Sequence, residues 1–210
     1  MSALIGLGGD ELQAIGVDLS DGVPAFVIAG PASSGKSTLL LTMGLSLLKD
    51  GTHLIVAAPR QSPVRTLMGQ AGVLKVFTDP DFTAEDLRAA QAQACGSSVV
   101  ILLDDIEVLF DVTNADEWMD DVLKQRPGDL AFVVAGDTEE AFASAYRGFG
   151  AYAQRARRGV LLGPRGAYDG EVIGARVPRQ EVELNRRVGR GLLHLDNNRV
   201  MPIALPQPPG

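Results

Sequence analysis

The stretch GPASSGKST (residues 30–38) lies between two apolar segments, VPAFVIAG before it and TLLLTMGLSLL after it. It fits the pattern GxxxxGK[ST], whose glycines let backbone N–H groups converge on phosphate oxygens at the positive end of the following helix. In this pattern Lys36 reaches the β and γ phosphates, and the Ser37 hydroxyl binds Mg²⁺. A plain glycine-rich turn is the alternative, but it would not require a buried strand on one side and an apolar helix on the other. We therefore predict an ATP-binding loop formed by Gly30, Pro31, Ala32, Ser33, Ser34, Gly35, Lys36, Ser37 and Thr38.

Strands and helices are predicted to alternate along the chain. VPAFVIAG, HLIVAAP, VVILL and LAFVVAG are typical of buried strands. Helices are expected over about 36–49, from a capping box at Thr83 and from near Thr113. This alternation predicts an α/β fold with a mostly parallel central sheet flanked by helices. From residue 159 the runs GVLLGP, EVIGARVP and RVMPIALP predict added C-terminal strands or a hairpin.

Length and composition are those of one globular domain, with 210 residues and a hydrophobic fraction of 46%. We expect residues 1–204 to form that domain and the Pro-rich end 205–210 to be a flexible tail. The single Cys95 excludes an internal disulfide, and without a His/Cys cluster no zinc site is predicted, which favours a reducing cytoplasm. The longest apolar stretch, 38–48, falls short of the ~20 residues that cross a bilayer, so this segment is not expected to insert into a membrane.

A second motif, VVILLDD, ends a predicted buried strand at Asp104. A carboxylate at the carboxyl edge of a parallel sheet lies beside the phosphate loop, where Asp104 would hold Mg²⁺, partly through water. The alternative is an acidic helix cap after a core strand. In hydrolytic enzymes a glutamate commonly follows that aspartate. Here Asp105 is one methylene shorter, and misplacement on that scale can cost about 10²-fold in rate. Glu107 could substitute only if the following turn swings it back toward the phosphate, so we predict slow hydrolysis at most.

The charge is divided unevenly along the chain. Residues 1–146 carry 8 basic and 21 acidic side chains, a net of −13, while residues 147–210 carry 11 arginines and 5 acidic side chains, a net of +6. Three interpretations stay open: solvated surface with local ion pairs, attraction between neighbouring subunits, or a basic face for an acidic partner. The overall acidity disfavours DNA as that partner, because tracking a phosphate backbone requires a basic surface.

Five segments together resemble a known family. They are LGGDELQAIGVDL (7–19), VAAPRQSPVRTL (56–67), FTDPDFTAEDLRA (77–89), LLDDIEVL (102–109) and RRGVLLGPRGAYDGEVIGARVPR (157–179), with GRGLL close behind. This combination resembles the FtsK/SpoIIIE ATPases, and within them the last ATPase domain of the EccC component of type VII (ESX) secretion systems. The resemblance covers nearly the whole chain and implies a RecA-like P-loop NTPase fold.

The resemblance also implies a function and a setting. Members of this family are strings of ATPase modules on a membrane-anchored chain that assembles into rings, so this chain would be one cytoplasmic module cut from a longer one. C-terminal modules often have a weakened second motif, and Asp105 fits that pattern. Such modules hold ATP and Mg²⁺ stably and dock other ATPase modules or the C-terminal signal of small helical secreted substrates. The alternative is an active, ring-forming DNA translocase.

Ring ATPases complete each site with an arginine from a neighbour, because a guanidinium offers a permanent planar charge to the γ phosphate. QRARRG supplies Arg155, Arg157 and Arg158, and Arg190 follows in GRG. We name Arg158 as the candidate, with an ion pair as the alternative for each arginine.

Four further polar or aromatic residues invite simpler interpretations. Asp137, between Gly136 and Thr138 after a predicted strand, either senses the terminal phosphate or caps a helix. His53 and His194 are expected to be core or surface residues. Trp118 is expected to pack on one side of a helix, and an exposed Trp118 would instead indicate a partner groove.

Overall fold

The computed structural model describes residues 1–9, 13–109, 118–119, 129–143, 148–185, 187–195 and 200–206. Within these ranges ten strands form one mixed sheet. They are β1 (Ser2–Gly8), β2 (Gln13–Asp18), β3 (Ala25–Ala29), β4 (His53–Ala57), β5 (Val73–Phe77), β6 (Val99–Leu103), β7 (Leu130–Gly136), β8 (Gly159–Leu162), β9 (Arg190–His194) and β10 (Val200–Ala204). The predicted helix near Thr113 lies outside the described residues.

The strand order across the sheet is β2-β1-β10-β9-β8-β3-β7-β6-β4-β5. Strands β8, β3, β7, β6, β4 and β5 are parallel to one another, and we call them the parallel half. Strands β9, β10, β1 and β2 continue the sheet in antiparallel pairs, and we call them the antiparallel flank. The predicted mostly parallel α/β sheet is confirmed, and so are the added C-terminal strands, since β9 and β10 pair as antiparallel neighbours.

Four α-helices are described: α1 (Lys36–Lys49), α2 (Ala84–Ala92), α3 (Gly148–Gln154) and α4 (Arg179–Leu184). Helix α1 has the predicted bounds, and the chain leaves it at Gly51 with φ 78°, a left-handed conformation that glycine adopts without strain. The capping box at the start of α2 is also confirmed, because Thr83 and Asp86 each accept the other's backbone N–H. None of the helices in these ranges has the length and hydropathy of a membrane-spanning segment.

The core lies on both faces of the parallel half. Strands β3, β6 and β7 are buried along their whole length, because α1 covers one face and α2, α3 and residues 118–119 cover the other. Trp118 is buried there with its ring edge-on to Phe132 at 5.4 Å between centroids, so it is a core residue as expected.

Three features of the fold differ from the predictions. EVIGARVP is not a strand: Ala167–Ile173 form a 3-10 helix, and the chain turns at Gly174 with φ 78°. The strands β1, β2 and β5 were not predicted. Leu205 does not belong to a loose tail, since its N–H donates to Gly189 O at 2.8 Å and its side chain packs on the core; residues 207–210 lie outside the described ranges.

Candidate nucleotide-binding site

The glycine-rich loop and the residues that follow β6 line one cleft of about 710 Å³. Loop residues 32, 33 and 35–38 form one wall of it, while Gly30, Pro31 and Ser34 do not line it. Polar side chains from three other parts of the chain also line it: Arg60 and Gln61 after β4, Asp105 and Glu107 after β6, and Asp137 and Glu140 after β7. Because the carboxyl ends of β4, β6 and β7 adjoin one another in the sheet, residues distant in sequence come together here.

The loop geometry explains its glycines. Gly35 has φ 105° immediately before α1, and Ser33 has φ 60°, so two of its residues adopt left-handed conformations. A Cβ at Gly30 would come within 2.8 Å of Leu162 O and 2.7 Å of Ser34 Oγ. The loop therefore curls tightly against β8, and α1 begins at its end with its N–H groups toward the cleft, as phosphate binding requires.

Lys36 lies at the base of the cleft and is almost fully buried. Its ammonium donates to Gly30 O at 3.0 Å and to Pro31 O at 2.9 Å. Carbonyl groups hold this charge less strongly than phosphate oxygens do. The Lys36 side chain is thus kept inside the loop, where a bound phosphate can take over its donors.

Asp104 is completely buried directly after β6. Its Oδ2 accepts a hydrogen bond from Ser62 Oγ at 2.5 Å, while its Oδ1 has no hydrogen-bond partner among the described residues. Burial raises the pKa of Asp104, although the Ser62 hydrogen bond, the nearby Ser37 hydroxyl and Asp105 N–H and the charge of Lys36 oppose that rise.

These residues fit a magnesium ion held jointly with a nucleotide. Mg²⁺ is usually bound by one or two carboxylates together with water and substrate phosphates. Asp104 offers a free buried oxygen and Ser37 a neighbouring hydroxyl. No group of three or more His, Cys, Asp or Glu side chains in the described ranges could hold a metal by itself. The donor set therefore suits Mg²⁺ that is bound with a nucleotide rather than alone.

The acidic residues after Asp104 turn toward the same cleft. Asp105 adopts a left-handed conformation with φ 50° and ψ 52°. Burial raises its pKa, as do the charges of Asp104 and Glu107, while Arg60 and Lys36 lower it. The turn brings Glu107 back to the cleft, where its Oε1 accepts from Arg60 Nη1 at 3.0 Å and its Oε2 accepts from the Asp137 N–H at 3.3 Å.

Asp137 caps the turn that follows β7. Its Oδ1 accepts from the N–H groups of Glu139 at 2.9 Å and Glu140 at 3.3 Å. The capping alternative therefore holds for its side chain. Its own N–H, by contrast, supports Glu107.

Arg60 and Ser62 were not predicted, although both lie in the quoted segment VAAPRQSPVRTL. The available signal was positional: both follow β4, whose carboxyl end adjoins that of β6. Polar residues just beyond such a strand are candidates for the same site.

Arg158 is not available to a neighbouring subunit, so that prediction is wrong. Its guanidinium is buried and donates to the carbonyl oxygens of Asp18, Leu19, Val23 and Ala25. An arginine with its donors directed at its own backbone is a structural clamp.

The other arginine and histidine candidates lie away from the cleft. Arg155 lies over the Tyr152 ring at 5.9 Å, Arg157 donates to Gly174 O at 3.3 Å, and Arg190 begins β9. His194 is buried with Nδ1 at 2.8 Å from the carbonyl oxygens of Arg157 and Ile173, as expected for a core histidine.

Comparison with known proteins identifies the fold of this chain but not its family. No family model matches the chain. The interferon-induced GTP-binding protein Mx2 of Canis lupus familiaris is 28% identical over 100 residues, which cover 44% of this chain and 14% of that protein. Both the identity and the coverage are too low to assign a family.

Solved structures match over the full length. The cytoplasmic domain of the Thermomonospora curvata type VII secretion ATPase EccC is similar with a TM-score of 0.78 and 16% identity, covering 100% of this chain and 26% of that one. ATPases 2 and 3 of the same protein, in complex with a signal sequence peptide, have a TM-score of 0.77 and 16% identity, covering 100% of this chain and 41% of that one. ATPases 2 and 3 of EssC from Geobacillus thermodenitrificans have a TM-score of 0.75 and 15% identity, covering 99% of this chain and 42% of that one.

This chain thus has the fold of the P-loop ATPase domains of EccC and EssC, and it spans well under half of each of those chains. Other structures with this fold hold nucleotides. The pCW3 conjugation coupling protein TcpA with ATPγS has a TM-score of 0.62 and 17% identity over 97% of this chain and 66% of that one. The genome packaging NTPase B204 of Sulfolobus turreted icosahedral virus 2 with AMPPCP has a TM-score of 0.58 and 16% identity over 87% of this chain and 97% of that one.

Proposed function

We propose that this chain is an ATP- and Mg²⁺-binding module of a type VII secretion ATPase, stabilised by its nucleotide and slow to hydrolyse it. One observation supports nucleotide binding above all others. The curled loop with Lys36 follows β3, and the buried Asp104, whose Oδ1 has no partner among the described residues, follows β6; both lie at the carboxyl edge of the parallel half, where only β7 separates the two strands. Burying a carboxylate oxygen without a partner is costly, so a site that retains one has a use for it.

In this proposal the chain's own groups divide the work of binding. The loop N–H groups and Lys36 bind the phosphates, and Ser37 and Asp104 hold Mg²⁺. Ser62 fixes the Asp104 carboxylate through Oδ2, which leaves Oδ1 directed at the metal. The metal, when bound, supplies neutralising charge between the phosphates.

Slow hydrolysis follows from the two carboxylates that could orient water. Asp105 is one methylene shorter than the glutamate that commonly orients water at this position. Glu107 reaches the cleft, but both of its oxygens are engaged, one by Arg60 and one by the Asp137 N–H. A general base needs an oxygen within reach of the attacking water; Asp105 falls short of that reach, and Glu107 is held by other partners.

Docking of partners is the finer part of the proposal. Neighbouring ATPase modules and the C-terminal signal of small helical secreted proteins are the proposed partners. The EccC structure that contains a signal sequence peptide has the fold of this chain and supports that choice. DNA translocation is the second candidate, because a conjugation coupling protein and a genome packaging NTPase share the fold.

Calorimetry with ATP and Mg²⁺, together with a turnover assay, tests the proposal. We expect micromolar or tighter binding, and Lys36→Ala should weaken it by about 100-fold because two charge-assisted contacts are lost. Lys49→Ala, at the other end of the same helix, is the matched control and should bind normally. Absence of ATP binding by the wild-type chain would refute the proposed site.

Turnover is measured in the same samples. We expect very slow hydrolysis by the isolated chain, and a faster rate in Asp105→Glu, which restores the missing methylene. Brisk turnover by the wild-type chain, stimulated by duplex DNA at low salt, would favour the translocase instead.

A further inference from the structure

Arg60 occupies an unusual position in the cleft. It follows β4, its side chain is 52% exposed, and it lines the same cleft as loop residues 35–38. Its Nη1 lies 3.0 Å from Glu107 Oε1 and 3.8 Å from Asp105 Oδ1. The Nε and Nη2 groups have no acceptor among the described residues, so most of the planar donor fork of this guanidinium is unused.

The partner of Arg60 is fixed, whereas Arg60 itself can move. The Glu107 side chain is only 7% exposed, and its Oε2 is held by the Asp137 N–H. A Cβ on Gly136 would come within 3.1 Å of that same oxygen, which shows how closely the backbone packs against it. Any exchange of partners must therefore come from the exposed arginine.

The charges in the cleft favour such an exchange. Among the described residues that line it, Lys36 and Arg60 are the cations, and Lys36 is already directed into the base of the loop. A terminal phosphate carries more negative charge than one carboxylate and presents several oxygens to a guanidinium fork. A diphosphate would leave Arg60 with Glu107.

We propose that Arg60 senses the terminal phosphate of a bound nucleoside triphosphate, and that Glu107 retains its guanidinium when that phosphate is absent. This inference rests on the proposed nucleotide binding. It makes Arg60 the residue that distinguishes ATP from ADP. Glu107 stays in place in either case, because the Asp137 N–H holds its Oε2.

The test compares affinities for Mg²⁺·ATP and Mg²⁺·ADP by calorimetry in the wild-type chain and in Arg60→Gln. We expect Arg60→Gln to weaken ATP binding about tenfold or more and to leave ADP binding within about twofold, because only the triphosphate loses a charge-assisted contact. Arg60→Lys keeps the positive charge without the planar donor fork, so its ATP affinity should lie between those of the wild-type chain and Arg60→Gln.

A second variant tests the role of Glu107. In Glu107→Gln the arginine is no longer retained by a charge, so the preference for ATP over ADP should increase. That increase should disappear in the double variant Arg60→Gln, Glu107→Gln, because the two residues then act through one contact.

Arg88→Gln is the matched control, since Arg88 pairs with Glu85 at 3.4 Å on α2 and does not line the cleft. Thermal unfolding checks that each variant is folded. If the wild-type chain binds neither nucleotide, the proposed function fails. If it binds both and Arg60→Gln weakens ATP and ADP equally or not at all, the nucleotide site stands and phosphate sensing by Arg60 is refuted.

Discussion

The parallel half and the antiparallel flank use the same sheet for different purposes. In the parallel half, β3, β6 and β7 are buried along their whole length, and the loop, Asp104 and Arg60 all follow their strands at the carboxyl edge. In the flank, burial alternates along β1 except at the consecutive buried residues Ile5 and Gly6, and Leu4 and Leu7 are exposed. The candidate chemistry therefore concentrates where parallel strand ends converge, while the flank extends the sheet beside it.

The two regions nevertheless meet at the phosphate loop. Strand β8 pairs with β3 in parallel and with β9 in antiparallel orientation. The Gly189 N–H, just before β9, reaches Ser34 O at 3.4 Å, and a Cβ on Gly35 would lie 3.1 Å from Leu205 Cδ1. The flank thus supports the back of the loop whose front faces the cleft.

The largest expected effect comes from removing the Arg158 guanidinium, which links the end of β2 to the start of β3. Arg158→Ala leaves buried carbonyl groups near the end of β2 and the start of β3 without their donors. We expect the free energy of unfolding to fall by about 3–4 kcal/mol, measured by urea denaturation. Arg155→Ala, which loses a contact with the Tyr152 ring, is the control and should cost less than about 1 kcal/mol. Equal losses in the two variants would contradict the clamp.

The sequence predicted the parallel half better than the flank for a physical reason. Runs such as VVILL are buried on both faces, so their apolar character needs no register to be recognised. In β1 and β2 glycines at 6, 8 and 16 interrupt the alternation that marks a half-buried strand. EVIGARVP is apolar enough for a strand, but a Cβ at Gly170 would lie 2.5 Å from Ala175 O, so the chain folds back on itself there.

The site was predictable only where one short segment carried the signal. The loop and Asp104 each belong to a local motif, and the structure brings them together. Arg60 and Ser62 act through the adjacency of β4 and β6, which no local spacing reveals. Arg158 was misassigned because an arginine-rich segment does not show which guanidinium is buried.

A smaller effect tests whether the flank supports the loop. Leu205→Ala removes the side chain beside Gly35, and because Leu205 is only partly buried we expect a loss of about 1–2 kcal/mol in the free energy of unfolding. ATP binding should weaken a few-fold as the loop loses its backing. The measurements are urea denaturation and calorimetry, with the exposed Leu184→Ala as control. Unchanged ATP affinity would mean that the parallel half alone holds the loop in shape.

The smallest expected effect concerns the stability that the parallel half loses by burying the Asp104 carboxylate. Burial raises the pKa of Asp104, so its carboxylate destabilises the fold at pH values above that raised pKa, and stability recovers as the pH falls toward the ordinary value of 3.8. Asp104→Asn should therefore unfold at a higher temperature than the wild-type chain at pH 7 without nucleotide, and the difference should shrink on acidification. The hydrogen bond from Ser62 offsets part of the burial cost, which keeps the effect small.

Thermal unfolding between pH 7.5 and 5 measures this difference in stability, with the exposed Asp21→Asn as control. If Asp104→Asn is less stable at every pH, the carboxylate is a structural group of the core, and its unpartnered oxygen no longer argues for a metal.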